Sequence, residues 1–185
     1  MIKSLKKLAL GVAATLAATG AWAAATPVMY YGGHYYYLTS AAATWTDAEA
    51  EAVGMGGHLV TINDSAEELA LWGALGQQQR FWIGLYNPLS NGNAASFVWS
   101  SGEASAYRNW NGGEPNNGAG VEDYTVINWA NGGKWNDLPN AGFGSYDPQL
   151  ATRVFGIIEV IPEPGSLALA GLALVGLGAA RRRKA

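Results

Sequence analysis

Two apolar runs, each bounded by basic residues, set the ends of this 185-residue chain apart from its middle. At the start, Lys3, Lys6 and Lys7 lead an Ala/Leu/Val run from Leu8, and Ala21-Trp22-Ala23 places small residues where a secretory signal peptide is cut. The run is short for a membrane span, so the reading is removal after Ala23, with an uncleaved anchor as the alternative. At the other end, Pro162-Glu163-Pro164 precedes an uncharged stretch, Gly165 to Ala180, and then Arg181, Arg182, Arg183 and Lys184. As a helix that stretch reaches ~24 Å, slightly short of a ~30 Å hydrocarbon core, and the basic cluster would hold its end in the cytoplasm. Residues 24–161 are what remains to fold.

That middle is acidic. It carries only Arg80, Arg108, Lys134 and Arg153 against 13 of the chain's 14 Asp and Glu residues, because the other basic residues belong to the two ends. Such a surface repels phosphate backbones and argues against a nucleic-acid partner, while it suits a protein that takes up cations. The chain has no cysteine, which excludes a disulfide framework, a thiol nucleophile and thiolate metal sites. Two histidines, His34 and His58, are too few for multi-histidine metal chemistry.

Local patterning predicts an α+β domain. Tyr30 to Ser40 reads as a strand, with Tyr36 on the face opposite Tyr35 and Tyr37. The spacing in Thr46-Asp47-Ala48-Glu49 opens a helix that stops at Gly56-Gly57, and Ser65-Ala66-Glu67-Glu68 opens a second that ends near Gly76. Strands are expected over His58 to Ile62, Arg80 to Tyr86, Ser96 to Ser100, Glu122 to Trp129 and Arg153 to Val160. Two early helices followed by short strands and long Gly/Asn loops imply an antiparallel sheet with the helices toward the N-terminal half. His58, at a strand start, reads as structural, and Trp82, Trp99 and Trp135 as core. Trp110, beside the longest loop, either packs or stacks on a sugar face.

That loop, Asn109 to Gly120, is where chemistry concentrates, since loops this long in compact domains are usually functional or disordered. Glu114-Pro115-Asn116 lies in it, Glu122 follows, and Asn136-Asp137 comes directly after Trp135. Three carboxylates and two amide oxygens are hard donors of the kind calcium collects in groups of six to eight. A cis Glu114–Pro115 bond would turn the flanking side chains toward one point. Spacing alone leaves a second reading open, a solvated Gly/Asn-rich surface loop. Glu114 and Glu122 could formally form a glycosidase pair, but nothing favours that over metal ligation.

Across residues 24–161 the chain resembles a C-type lectin-like domain. The matching residues run in family order: His58 to Ile62, Phe81-Trp82-Ile83-Gly84-Leu85, Glu114-Pro115-Asn116, Glu122-Asp123, Lys134-Trp135-Asn136-Asp137 and Phe155 to Glu159. The resemblance implies the C-type lectin fold, two helices and small antiparallel sheets with a long irregular loop region, here without disulfides. It implies a binding protein rather than an enzyme, with no catalytic residues. It further implies one calcium site made by Glu114, Asn116, Glu122, Asn136 and Asp137, which would also hold the sugar. The Glu-Pro-Asn order is that of members that prefer mannose- or glucose-type hexoses. An auxiliary calcium site is not expected, because its family acids fall near Asn87, Asn91 and Asn117, although Glu122 and Asp123 persist. Family disulfide positions are taken by Ala52 and Ile158, and by Tyr124 and about Asn140. A calcium-stabilised structural or protein-interaction domain of the extracellular matrix is the alternative on the same fold.

The C-terminal layout resembles the PEP-CTERM sorting signal, with its Pro-Glu-Pro triplet, apolar helix and arginine cluster. This implies three segments: a signal peptide at 1–23, the lectin-like domain at 24–161 and a sorting signal at 162–185. It also implies export through the Sec machinery, transient inner-membrane insertion of the C-terminal helix and processing by an exosortase. The product would lie at the cell surface or in the extracellular matrix, with a glycan or exopolysaccharide as partner.

Overall fold

The computed structural model describes residues 26–76, 79–142 and 154–162. The predicted signal peptide with Ala23, and the sorting residues Glu163, Pro164, Arg181, Arg182 and Arg183, lie outside the described residues. Among the described residues, no helix is long and apolar enough to cross a membrane.

The described elements run β1 (Met29–Tyr31), β2 (His34–Leu38), α1 (Trp45–Gly54), β3 (His58–Leu59), α2 (Ser65–Leu75) and β4 (Phe81–Tyr86). They continue with β5 (Val98–Trp99), β6 (Tyr124–Ala130), β7 (Lys134–Leu138) and β8 (Phe155–Val160). The strands follow the order β1-β2-β8-β4-β6-β7, with β3 beside β8 and β5 beside β4. The expected antiparallel arrangement needs one correction: β4 and β8 are parallel, with Phe81 opposite Phe155 and Trp82 opposite Gly156. The last strand enters the centre of the sheet, between β2 and β4, and so joins the hairpin of the N-terminal half to the strands beneath the long loop.

Both helices start earlier than the sequence spacing suggests. Thr44 caps α1, its hydroxyl accepting the Asp47 N–H at 3.2 Å. Glu49, expected to close a capping box, instead accepts from the Leu59 N–H at 2.8 Å and lies 2.7 Å from His58 Nδ1, which ties α1 to β3. Asp64 caps α2 by accepting the N–H groups of Ala66 and Glu67 at 2.8 and 2.9 Å, while Glu67 reaches back to the Asn63 N–H at 2.8 Å. With capping complete one residue early, Glu68 is left to turn inward, and it is only 5% exposed. The predicted N-terminal strand is a hairpin, folded at Gly32-Gly33. His58 to Ile62 shortens to His58–Leu59.

Alternation along β4 builds both halves of the core. Phe81, Ile83 and Leu85 pack with Val60, Ile62, Leu71, Trp99 and Trp135, whereas Trp82 faces Trp45, Leu59, Val126 and Leu138. Trp82, Trp99 and Trp135 are buried, as expected of core residues, and Tyr36 is buried while Tyr35 is exposed. Gly84 lets the chain after β3 cross β4 closely: its N–H donates to Val60 O at 2.9 Å, and a Cβ there would meet Leu59 O at 2.4 Å. Any side chain at that position would push the two backbones apart.

Candidate calcium and sugar site

The site lies where the long loop meets β6 and β7. β7 was not among the strands expected from sequence, because Asn136-Asp137 reads locally as turn chemistry. It pairs antiparallel with β6, placing Asn136 opposite Val126 and Asp137 opposite Thr125. That pairing buries both side chains at the strand end that faces the loop, Asn136 at 3% and Asp137 at 0% exposure.

Asp137 organises the loop. Its Oδ1 accepts the Asn116 N–H at 3.1 Å and its Oδ2 the Asn117 N–H at 2.8 Å. Glu122, also buried, accepts the Gly118 N–H at 2.5 Å through Oε2, and its own N–H donates to Asn117 Oδ1 at 3.1 Å. A Cβ at residue 118 would stand 2.6 Å from the Glu122 carboxylate, so a side chain there would make that carboxylate shift. The Glu114–Pro115 bond is cis.

Glu114 faces the other two acids. Burial first, and then the negative charges of Asp137 and Glu122, push its carboxyl above the usual carboxylate range. Its Oε2 is buried without a hydrogen-bond partner, and so is Asn136 Oδ1, although Asn136 Nδ2 donates to Asp137 O at 2.7 Å. Of the five predicted residues, Glu114, Glu122 and Asp137 are therefore brought into one electrostatic cluster and Asn136 adjoins Asp137. Asn116 is exposed and contributes its backbone N–H.

The donor set fits a hard cation. An acceptor buried without a partner costs about 1–3 kcal/mol, so an unpartnered oxygen on Glu114, facing two further acids, is an arrangement that a cation relieves. All available atoms are oxygens, the chemistry calcium requires. Among the described residues, no three acidic or histidine side chains surround one point, and loop N–H groups engage the Asp137 and Glu122 carboxylates.

The auxiliary positions are only partly satisfied, and Asp123 Oδ1 is buried without a hydrogen-bond partner. Asn87 Nδ2 donates to Asn91 Oδ1 at 3.1 Å, and the Ser90 hydroxyl donates to Asp123 Oδ2 at 2.7 Å. Trp110 packs edge-on against Phe97 and Trp135 with centroids 5.1 and 5.8 Å away, so it serves the core.

The family profile described as Lectin C-type domain matches residues 41–141. The chain belongs to the C-type lectin domain family. A second profile, the PEP-CTERM protein-sorting motif, matches residues 160–184. Ladderlectin of Oncorhynchus mykiss is 34% identical over 101 residues, which cover 52% of this chain and 52% of that protein. The chain spans about half or less of the length of the curated relatives it first matches. The crystal structure of the C-type lectin CEL-I from Cucumaria echinata is 26% identical with a TM-score of 0.58, covering 70% of this chain and 91% of that one. A calcium-independent type II antifreeze protein, 24% identical with a TM-score of 0.57 and covering 71% and 88%, shares the fold. Family and fold are those of lectin-type binding domains, which generally bind calcium, and not of enzymes.

Sequence reading missed one part of the site's support. Glu68 reads from sequence only as a capping-box residue, although Glu67-Glu68 offers two carboxylates to a helix end where Asp64 already caps. A surplus acid in the first turn of an apolar helix is the signal that could have marked it.

Proposed function

We propose that this protein binds one calcium ion through Glu114, Asn116, Glu122, Asn136 and Asp137 and, with it, a mannose- or glucose-type hexose. The observation that carries this reading is two buried unpartnered oxygens, Glu114 Oε2, on a carboxyl that feels the Asp137 and Glu122 charges, and Asn136 Oδ1, on the residue before Asp137. A carboxylate oxygen that accepts from an N–H has a second lone pair that can serve a metal. Five side-chain donors and two vicinal sugar hydroxyls reach the six to eight oxygens that calcium takes. When bound, the ion supplies a positive charge that draws two neighbouring hydroxyls into the site. The chain's own groups then fix their direction, with Glu114 and Glu122 accepting hydroxyl protons while Asn116 and Asn136 donate amide N–H to the hydroxyl oxygens. The Glu114-Pro115-Asn116 order supports selection of equatorial 3- and 4-hydroxyls.

The matched sorting motif supports delivery to the cell surface or matrix, with export by the Sec machinery, transient membrane insertion and exosortase processing. The target is then a glycan such as the cell's own exopolysaccharide. A second reading, a calcium-stabilised structural or protein-interaction domain, draws on the N–H bonds by which Asp137 and Glu122 already organise residues 116–118.

The test is a calcium titration of the purified protein followed by melting temperature, with and without mannose. A rise with calcium that grows with mannose is expected, because each ligand stabilises the state it binds. A rise with calcium alone selects the second reading. No response to either overturns both.

A further inference from the structure

We propose that Glu68, on α2 and hydrogen-bonded to both Trp135 and the loop's first residue Asn109, is a positioning residue for the calcium-binding strand. The inference rests on the calcium reading above, but its observations come from α2 rather than from the ligands. The Glu68 carboxylate accepts three hydrogen bonds from the segments that bracket the site. Trp135 Nε1 donates to Oε1 at 2.5 Å, while the Tyr107 hydroxyl and Asn109 Nδ2 donate to Oε2 at 2.6 and 2.7 Å. Burial, followed by the hydrogen bond to Glu68, raises the Tyr107 hydroxyl's pKa, so it remains a donor throughout the accessible pH range.

These contacts lock the loop entry to the start of β7. Trp135 N–H donates to Asn109 O at 2.9 Å and Asn111 N–H to Trp135 O at 2.8 Å, so residues 109–111 run parallel to residue 135. Lys134 Nζ lies 2.5 Å from Asn109 Oδ1 and balances the buried carboxylate through that amide. Asn136 and Asp137 follow Trp135 directly, and the loop that begins at Asn109 carries Glu114 and Asn116. One carboxylate therefore sets the register between the two halves of the donor set without touching the metal.

All three groups that hydrogen-bond Glu68 donate to it, and two of them, Trp135 Nε1 and Asn109 Nδ2, can only donate. In Glu68→Gln one oxygen becomes an NH2 that meets donors, and the lock opens although volume is kept. The expected result is a loss of calcium affinity of tenfold or more in the full-length protein. Amide exchange at Asn111 and Trp135 should also quicken in calcium-free protein. The double variant Glu68→Gln with Asn109→Asp restores a donor–acceptor match, since the amide introduced at position 68 can donate to the new carboxylate while its oxygen accepts from Trp135. It should recover affinity to within about threefold of wild type, which a merely structural role for Glu68 would not predict.

Wild-type affinity in Glu68→Gln overturns the proposal. If that variant does not fold, Asn109→Ala leaves the carboxylate two of its donors and decides instead: weakened calcium binding supports positioning, and unchanged binding overturns it. A wild-type protein that does not respond to calcium overturns the underlying reading and this inference with it. A wild type that responds, with variants that respond equally, overturns only the role of Glu68.

Discussion

Glutamine at position 114 is expected to stabilise the calcium-free protein and to weaken its response to calcium. Burial and the charges of Asp137 and Glu122 raise the Glu114 carboxyl above its ordinary range, so the folded state penalises its charged form. Glu114→Gln removes that charge at nearly constant volume and points an N–H donor at two carboxylates. A hydrogen bond to a charged partner contributes about 1.5–3 kcal/mol, and partial exposure of this side chain screens the gain to about 1 kcal/mol. For a domain of this size that is roughly 3–5 °C in Tm. With saturating calcium, a tenfold weaker site loses about 1.4 kcal/mol, so the order of the two proteins reverses. Calorimetry in chelator and in calcium reads both states. The pH dependence has a definite sign: folded Glu114 holds its proton more tightly than the unfolded chain does. Its contribution to stability therefore falls as pH rises from the ordinary carboxylate value through the raised folded one. Calcium-free wild type should lose stability across that window more steeply than Glu114→Gln, which retains only the similarly directed contribution of Glu159. A glutamine variant less stable than wild type in chelator would refute this reasoning, because the carboxylate would then be making a favourable structural contact.

Three further outcomes test other parts of the structure. Tyr124→Ala removes ring contacts with Trp45 and Tyr86, at centroid distances of 4.9 and 6.5 Å, and should cost about 2–3 kcal/mol in urea unfolding; a loss below ~0.5 kcal/mol would show the cluster to be incidental. Tyr36→Phe deletes the hydroxyl that donates to Glu67 at 2.6 Å and leaves a buried carboxylate oxygen short of a donor, which should cost about 1–3 kcal/mol by the same measurement. Glu114→Gln combined with Asn116→Asp should shift sugar preference from mannose-type toward galactose-type on a glycan array, and an unchanged ranking would mean that this pair does not set specificity.

The helices, the buried tryptophans and the loop that carries the acids were legible because each has a local cause. Asp64 and Thr44 sit within a residue or two of the predicted caps, and the strand expected over Arg80 to Tyr86 forms from Phe81 to Tyr86. What local pattern could not supply was pairing. The parallel contact of β4 with β8 joins residues far apart in the chain, and the two-residue β3 is a strand only because β8 lies beside it. β7 was hidden for a related reason: Asn136 and Asp137 favour turns in isolation, and β6 overrides that preference by pairing with them. For the site, the family resemblance proposed five oxygen donors, but not that Asn116 would offer its backbone N–H to Asp137, nor that Glu114 and Asn136 would each keep a buried oxygen unpartnered.

The positions where the family resemblance places disulfides show how a cysteine-free chain holds this strand. Ala52 and Ile158 are both fully buried, an apolar replacement for one bridge. At the other, Tyr124 joins Trp45 and Tyr86 in an aromatic cluster, and Asn140 binds the start of α1: Trp45 N–H donates to Asn140 O, Thr46 N–H to its Oδ1, and its Nδ2 to Thr46 Oγ1, each at 3.0 Å. A disulfide acts largely by restricting the unfolded chain, whereas these contacts act only on the folded one, so they must be made at the right place to help. They are made just beyond β7, while Glu68 of α2 grips Trp135 just within it. Asn136 and Asp137 thus lie between two anchors, one from the first turn of each helix. On the proposed calcium reading, a cation drawing on these residues would meet a strand whose ends are already fixed. The cost of ordering then falls on the loop from Asn111 to Gly120, which Asp137 and Glu122 hold by backbone N–H groups.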